Sequence, residues 1–466
     1  MEPEKRTNLI VALVFGLVSA FLVSFEGTSM SEATLADLYL RTAQAEARLH
    51  AAANALLGDD ASGALPDPFQ DAELLMTGIQ GVTEETRSEL LFGMAVAAAA
   101  ADQPKTARII ESRAGAGPEA LLPLRFAWSE DRPAPATLEA LEAALDAAAL
   151  TPWTRDRLRA RWMERRGDEA DAKALLASQQ SADLTWIHEL AGVFLGLLFL
   201  GLVGLALLIL NKRLIHRWSE APPDYLHARF GATPWETLAL FLFWFIASQA
   251  GGGALAWSFQ GSLSQGALIL GAYLFSAVLG LAMIYTFGIR GFSRIGLSAP
   301  GTTGLRHLLG MVSLRGRDLH LRAMLWGLAG FAAALPVVWG LSILSLVLVG
   351  GDTHPAIPVF IGSESLLDRG MLLVTICLLA PLFEEFLFRG FLWNRFHKML
   401  GVYSATALSA LVFAAVHLSV GSFLPLMGLG VILALVSRHA GSLWASVFTH
   451  TLWNLMNILF LQLLYR

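Results

Sequence analysis

The sequence predicts an all-α fold: a polytopic transmembrane helical bundle of about nine spans with an inserted N-terminal all-α extramembrane domain. Apolar residues fill 55% of the 466 positions and charged residues only 15%, against roughly half and a quarter in soluble domains. Several uninterrupted apolar runs reach the ~20 residues a helix needs to cross the hydrocarbon core. Between the first two of these runs lies a long alanine-rich stretch with interspersed charges and no segment of membrane length. A net charge of −5 gives no footing for a nucleic-acid partner. The single cysteine, Cys377, excludes an intramolecular disulfide and any multi-cysteine metal site.

In chain order, MEPEKRTN leads into the apolar run Leu9 to Phe25. A charged region before a hydrophobic stretch fits a cleaved signal peptide or an uncleaved anchor. No convincing small-x-small cleavage site follows, so the expectation is a membrane anchor over residues 1–25. Residues 26–185 form an alanine-rich helical domain, in which LADLYLRTAQAEARLHAAANALL and ADAKALLA carry apolar residues at helical spacing. Pro66, Pro68, Gly115, Gly117, Pro118, Pro133 and Pro135 cut it into short helices. The pattern is hairpin-built and loosely like a tetratricopeptide solenoid, without a fixed-period repeat. Such a domain is either a spacer or a docking module for a protein partner.

A second span, Trp186 to Leu210, runs into Asn211-Lys212-Arg213, and with a cytoplasmic linker it fills residues 186–234. Further spans fall near 235–257, 265–288, 323–349, 369–389, 402–420, 422–437 and 442–463, the short pair after Val402 being compatible with re-entrant packing. Gly251-Gly252-Gly253 sits inside an apolar span and points to close helix packing. Lys and Arg placement sets orientation. Lys5, Arg6, Lys212, Arg213, Arg217, Arg290, Arg294, Arg306, Arg315, Arg317, Arg322, Arg389, Arg395, Lys398 and Arg438 all fall on one side if the N-terminus is cytoplasmic. Arg369 is the exception. Residues 26–185 are then extracytoplasmic.

Ionisable groups inside apolar spans cost about 2.5–3.5 kcal/mol each even on the lenient insertion scale. The third to fifth spans carry almost none, and the last third of the chain is different. The sixth span, MLLVTICLLAPLFEEFLFRGFLW, holds Glu384, Glu385 and Arg389. Glu385 and Arg389 stand four apart in the favoured order and can neutralise each other. Glu384 is rotated by about 100° from its neighbour, leaving a carboxylate in a low-dielectric setting suited to a general base. The seventh span carries His417 near its end, and the ninth places His450 and Asn454 one turn apart on a common face. Separate helices each contributing one polar group is how buried sites in bundles are assembled. Two chemistries fit. In one, Glu384, His417 and His450 bind Zn2+ and leave a position open for water. In the other, Glu384 and His417 activate water without metal while His450 and Asn454 stabilise the oxyanion. Both hydrolyse a peptide bond. His188-Glu189 lacks the second histidine of a zinc HExxH pattern, and Gly350-Gly351-Asp352 lacks the first glycine of a membrane aspartyl site.

At these residues the sequence resembles a known family. EEFLFR matches EExxxR, FAAVH matches FxxxH and HTLWN matches HxxxN of the CaaX-protease and bacteriocin-processing family. These are the type II CaaX prenyl endopeptidases, also called ABI or CPBP proteins, and their bacterial intramembrane metalloprotease relatives. The motifs cover roughly residues 369–460. The resemblance implies that residues 235–466 form a CaaX-protease-like catalytic domain, with Glu384 activating water and His417, His450 and Asn454 completing the site. It also implies supporting roles for Glu385 and Arg389, and a site opening to the cytoplasmic face of a bacterial inner membrane. The expected partners are a membrane-embedded or membrane-associated peptide substrate and the lipid bilayer. The first 235 residues lie outside the family core, so the family's substrate class does not carry over simply.

An intramembrane endopeptidase is the favoured function. The alternative is a non-catalytic membrane scaffold or bacteriocin-immunity-type protein that binds a partner through residues 26–185. A proton- or ion-coupled transporter is a third reading, weakened by the absence of an inverted repeat among the spans.

Overall fold

The computed structural model describes residues 84–101, 103–114, 119–129, 134–146, 150–210, 234–259, 261–288, 317–349 and 365–464, with Leu40, Gln44, Ala47, Arg48, Ala51 and Phe360. Its elements are helices, and no strand occurs among the described residues. The run Leu9 to Phe25, the punctuating Pro66 and Pro68, the basic residues before Arg317 that were used for orientation, and Gly350-Gly351-Asp352 lie outside the described residues.

Two compact units divide the chain, one from Ser29–Phe194 with Phe460–Arg466, the other including Leu195–Leu459. In the first, α1 (Glu84–Ala100) and α2 (Pro104–Ala114) pack as a hairpin. A 3-10 segment (Glu119–Ala127), α3 (Leu138–Asp146) and α4 (Pro152–Arg166) follow. Ala95, Val96 and Ala97–Ala100 are all buried. A helix surrounded on every face tolerates only small side chains there, which accounts for the alanine run without an amphipathic period. Thr151 caps α4 ahead of Pro152 at its first position, and Gly167 (φ 90°) ends it in the left-handed conformation that glycine adopts without penalty.

The helix α5 runs unbroken from Glu169 to Leu210, about 63 Å at 1.5 Å per residue. The expected second span is therefore the latter part of a longer helix whose first turns are polar. Within those turns, buried Asp183 accepts from Arg48 Nε at 2.8 Å and from Trp153 Nε1 at 2.9 Å, each carboxylate oxygen taking one donor. Arg48 also lies 4.4 Å over the ring of Trp186, whose Nε1 donates to the carbonyl of Leu463.

In the second unit, α6 (Pro234–Phe259) and α7 (Gln265–Met283) pack against each other, and α8 (Arg317–Val349) packs along α11 (Val420–Ala440). Between α8 and α11 in sequence lie α9 (Leu366–Leu400) and α10 (Val402–Ala415), and α12 (Leu443–Leu464) closes the chain. Gly330 makes the close approach possible: a methyl there would meet Val436 Cγ2 at 2.4 Å and Thr449 Oγ1 at 2.8 Å. Of the glycine triplet in α6, Gly251 abuts Phe275 of α7 and Gly252 comes within van der Waals reach of Ala272, whereas Gly253 meets nothing. Phe199, Trp257, Val278, Ile343 and Val347 point outward, the disposition of side chains that lipid rather than water surrounds.

Six helices among the described residues are long and apolar enough to span a bilayer, as an integral membrane protein requires. Three of the roughly nine expected spans are not among these six, each for its own reason. The first expected span falls outside the described residues. The helix α10 has 14 residues, about 21 Å against a hydrocarbon core of about 30 Å. The helix α12 is 22 residues long, but His450, Asn454 and Asn457 dilute its apolar character, and it is not among the six.

Asp183→Ala strands two donors and should destabilise the first unit by about 2–4 kcal/mol, read as an earlier transition in a thermal melt followed by tryptophan fluorescence. A second test concerns Glu142, to which Arg159 donates twice, at 2.6 and 2.7 Å. These bonds hold its carboxyl below the usual carboxylate range. A lowered folded-state value contributes stability above the ordinary range and loses it as pH falls through that lowered value. Glu142→Gln should melt slightly below wild type at pH 7, by less than about 1 kcal/mol because the pair is partly exposed, and the difference should vanish in acid.

Candidate active site

The residues singled out in the last third converge on α9, which is not a uniform α-helix. Two π-helical segments, Thr375–Leu379 and Phe386–Trp393, flank the short α-helical stretch Ala380–Glu385. Pro381 supplies the cause of the first. Proline has no N–H to donate and its ring clashes with the carbonyl one turn back, and a π turn is one way for a helix to open around it. In this register Ala380 N bonds Thr375 O. The next donor in line would be Pro381 to Ile376 O, a bond proline cannot make. Asn454 of α12 provides it instead: its Nδ2 donates to Ile376 O at 2.8 Å. The asparagine thereby joins α12 to α9 while using one of its two amide hydrogens.

Glu385 and Arg389, four residues apart on α9, form an ion pair of 2.7 Å with side chains 0% and 1% exposed. Arg389 also donates to Gly430 O of α11 at 3.1 Å and lies 4.6 Å over the ring of Phe413 of α10. His450 of α12 places Nδ1 3.1 Å from Glu385 Oε1. Four helices thus meet at one ion pair. Arg389 is part of this buried cluster, so it does not serve as a loop charge that reports orientation.

Beside this pair, Glu384 is differently placed. Its Oε1 receives the hydroxyl of Tyr273 from α7 at 3.4 Å, and its Oε2 is buried with no hydrogen-bond partner. Tyr273 was not among the residues the sequence singled out. A phenol in an apolar span was the available signal, but with no other ionisable residue on the same helix it had no motif to announce it.

His417 lies just beyond α10, which ends at Ala415 rather than continuing to about residue 420. Leu418 follows with φ 55°, a left-handed backbone that a leucine adopts at a cost of order 1 kcal/mol or more. Ser419 then caps α11. The bend keeps the His417 ring against Phe413, with centroids 4.8 Å apart, while Phe413 also meets His450 at 5.8 Å. The phenylalanine of the FxxxH spacing is therefore the ring that both histidines share. His417 Nδ1 stands 2.7 Å from Phe413 O. A carbonyl only accepts, so Nδ1 carries the hydrogen and neutral His417 holds its lone pair on Nε2. The bond from His450 Nδ1 to a carboxylate implies the same tautomer there.

That tautomer suits a metal ligand. Among the described residues no three His, Cys, Asp or Glu side chains group closely enough to hold an ion.

A helical membrane bundle with two adjacent carboxylates and two histidines from separate helices is the class that fold and site define. Residues 368–456 match the family model described as type II CAAX prenyl endopeptidase Rce1-like. All three motifs, EEFLFR, FAAVH and HTLWN, fall inside the match, so the resemblance read from them stands on the whole segment. No curated protein and no solved structure matches the chain.

Removing either half of a buried ion pair leaves an uncompensated charge, costing about 3–5 kcal/mol, whereas replacing both halves with apolar groups of similar size is often neutral. Glu385→Gln and Arg389→Gln should each lower the melting temperature in detergent strongly. The double variant Glu385→Leu/Arg389→Met should recover most of that loss.

Proposed function

We propose that this chain is an intramembrane endopeptidase in which Glu384 is the general base. One observation carries the reading: Glu385 Oε1 is taken up by Arg389 and His450, whereas the bond to the adjacent Glu384 comes from the neutral hydroxyl of Tyr273, and its second oxygen is buried without a partner, as is that of Glu385. A carboxylate held in a low-dielectric bundle is costly, and proton transfer gives it a use. The match of residues 368–456 to an endopeptidase family supports the same class of reaction.

In the proposed step, water attacks the carbonyl carbon of a membrane-associated peptide. A C–O bond forms as the water proton passes to Glu384 Oε2. His417 accepts from the water through Nε2, which helps orient it. The second amide hydrogen of Asn454 donates to the oxyanion, and His450, held by Glu385 through Nδ1, completes its stabilisation. Collapse breaks the C–N bond, and Glu384 returns its proton to the departing amine. No step is routed through a metal. The site faces the cytoplasmic side of a bacterial inner membrane in this reading, and residues 26–185 lie on the opposite side.

Glu384→Gln should abolish cleavage, a fall of at least about 10³-fold if the base carries the proton transfer, with the variant folded and abundant. Membrane-proteome N-termini compared between wild type and Glu384→Gln would name the substrate, and identical profiles would remove the proposal. Activity retained in a zinc chelator supports direct action by Glu384. Loss that Zn2+ restores would instead make Glu384, His417 and His450 ligands.

A further inference from the structure

We infer that Tyr273 is a positioning residue for Glu384: its hydroxyl fixes one carboxylate oxygen so that the other faces the water. The inference rests on the reading of Glu384 as the base. Tyr273 comes from α7, a helix outside the motif-bearing region and before the matched segment. It is nevertheless the residue whose side chain bonds the Glu384 carboxylate.

The geometry is asymmetric. Tyr273 Oη lies 3.4 Å from Glu384 Oε1 and also 3.4 Å from Ala380 O, one turn earlier on α9. A phenol has one proton to give, so these two acceptors compete for it. With Glu384 charged, the carboxylate is the stronger acceptor, and donation to Oε1 directs basicity to Oε2. When Oε2 has taken the water proton, the carboxyl group needs the bond less, and the hydroxyl can turn to Ala380 O without moving the ring. The tyrosine proton stays on tyrosine throughout. What changes is which oxygen it serves.

The ring is held so that this choice is local. It stands nearly perpendicular to Phe383, at 85° and 6.3 Å. Phe383 in turn packs on Trp244 at 5.7 Å, and Trp244 Nε1 donates to Ser276 O at 2.9 Å, tying α6 to α7 one turn beyond Tyr273. Gly280 leaves room for this stack, since a methyl there would strike both Phe383 and Trp244. The residue preceding Glu384 on α9 thus clamps the same tyrosine whose hydroxyl reaches Glu384.

Tyr273→Phe keeps the ring and removes only the hydroxyl. For the full-length protein acting on a substrate found by the N-terminus comparison, kcat should fall about 10- to 100-fold, the size of a hydrogen bond to a charged group, with KM within about twofold and an unchanged melting temperature. In the Glu384→Gln background the same substitution should add nothing. Infrared difference spectroscopy gives a reading independent of turnover: the carboxyl band lost in Glu384→Gln should shift in Tyr273→Phe. A shifted band in a protein without protease activity sinks the endopeptidase reading and keeps the contact. An unmoved band with kcat within twofold of wild type overturns the inference. So does a loss spread equally over kcat, KM and melting temperature.

Discussion

Everything in the last third of the chain turns on the buried pair of Glu385 and Arg389. Charges this far from solvent persist only when matched and bonded, and the matching here recruits α9, α10, α11 and α12 at once. Arg389 reaches the Gly430 carbonyl and the Phe413 ring, and Glu385 reaches His450. Lipid supplies no hydrophobic force to press apolar helices together, so a polar knot of this kind gives the bundle a register that leucine and phenylalanine contacts alone do not. It also separates two neighbouring carboxylates by role. Glu385 Oε1 is engaged by a cation and a histidine from two helices, whereas Glu384 Oε1 meets a neutral hydroxyl.

The same economy governs Pro381. A proline inside a membrane helix exposes a carbonyl that must be satisfied in surroundings without water. Asn454 satisfies it from another helix, so the kink in α9 and the seat of α12 are one interaction. His450, one turn before Asn454, inherits its position from that seat. Asparagine in the HxxxN spacing is therefore at least as much a fastening as a donor to chemistry.

Much of this was legible in the sequence because membrane helices make polar residues conspicuous. Glu384, Glu385, Arg389, His417, His450 and Asn454 stood out for that reason, and helical spacing put Glu385 over Arg389. What spacing did not convey was three-dimensional partnership. His450 bonds Glu385 through Nδ1, a pairing between helices that no spacing encodes. The first π segment follows from proline chemistry but needs Asn454, 73 residues downstream of Pro381, to show where the orphaned carbonyl goes. Tyr273 lies on a helix without another ionisable residue, and the true end of α10 depends on a leucine taking a left-handed bend, which no propensity favours. The alanine run of the first unit is helical, but its central burial belongs to tertiary packing alone.

The shortness of α10 has a consequence for the membrane itself. A helix of 14 residues leaves about 9 Å of hydrocarbon thickness uncrossed. Lipids meet such a mismatch by thinning, and polar headgroups with their hydration are drawn inward around the short element. His417 sits just past the end where α10 stops. The short helix therefore carries its histidine at its tip rather than inside a full span.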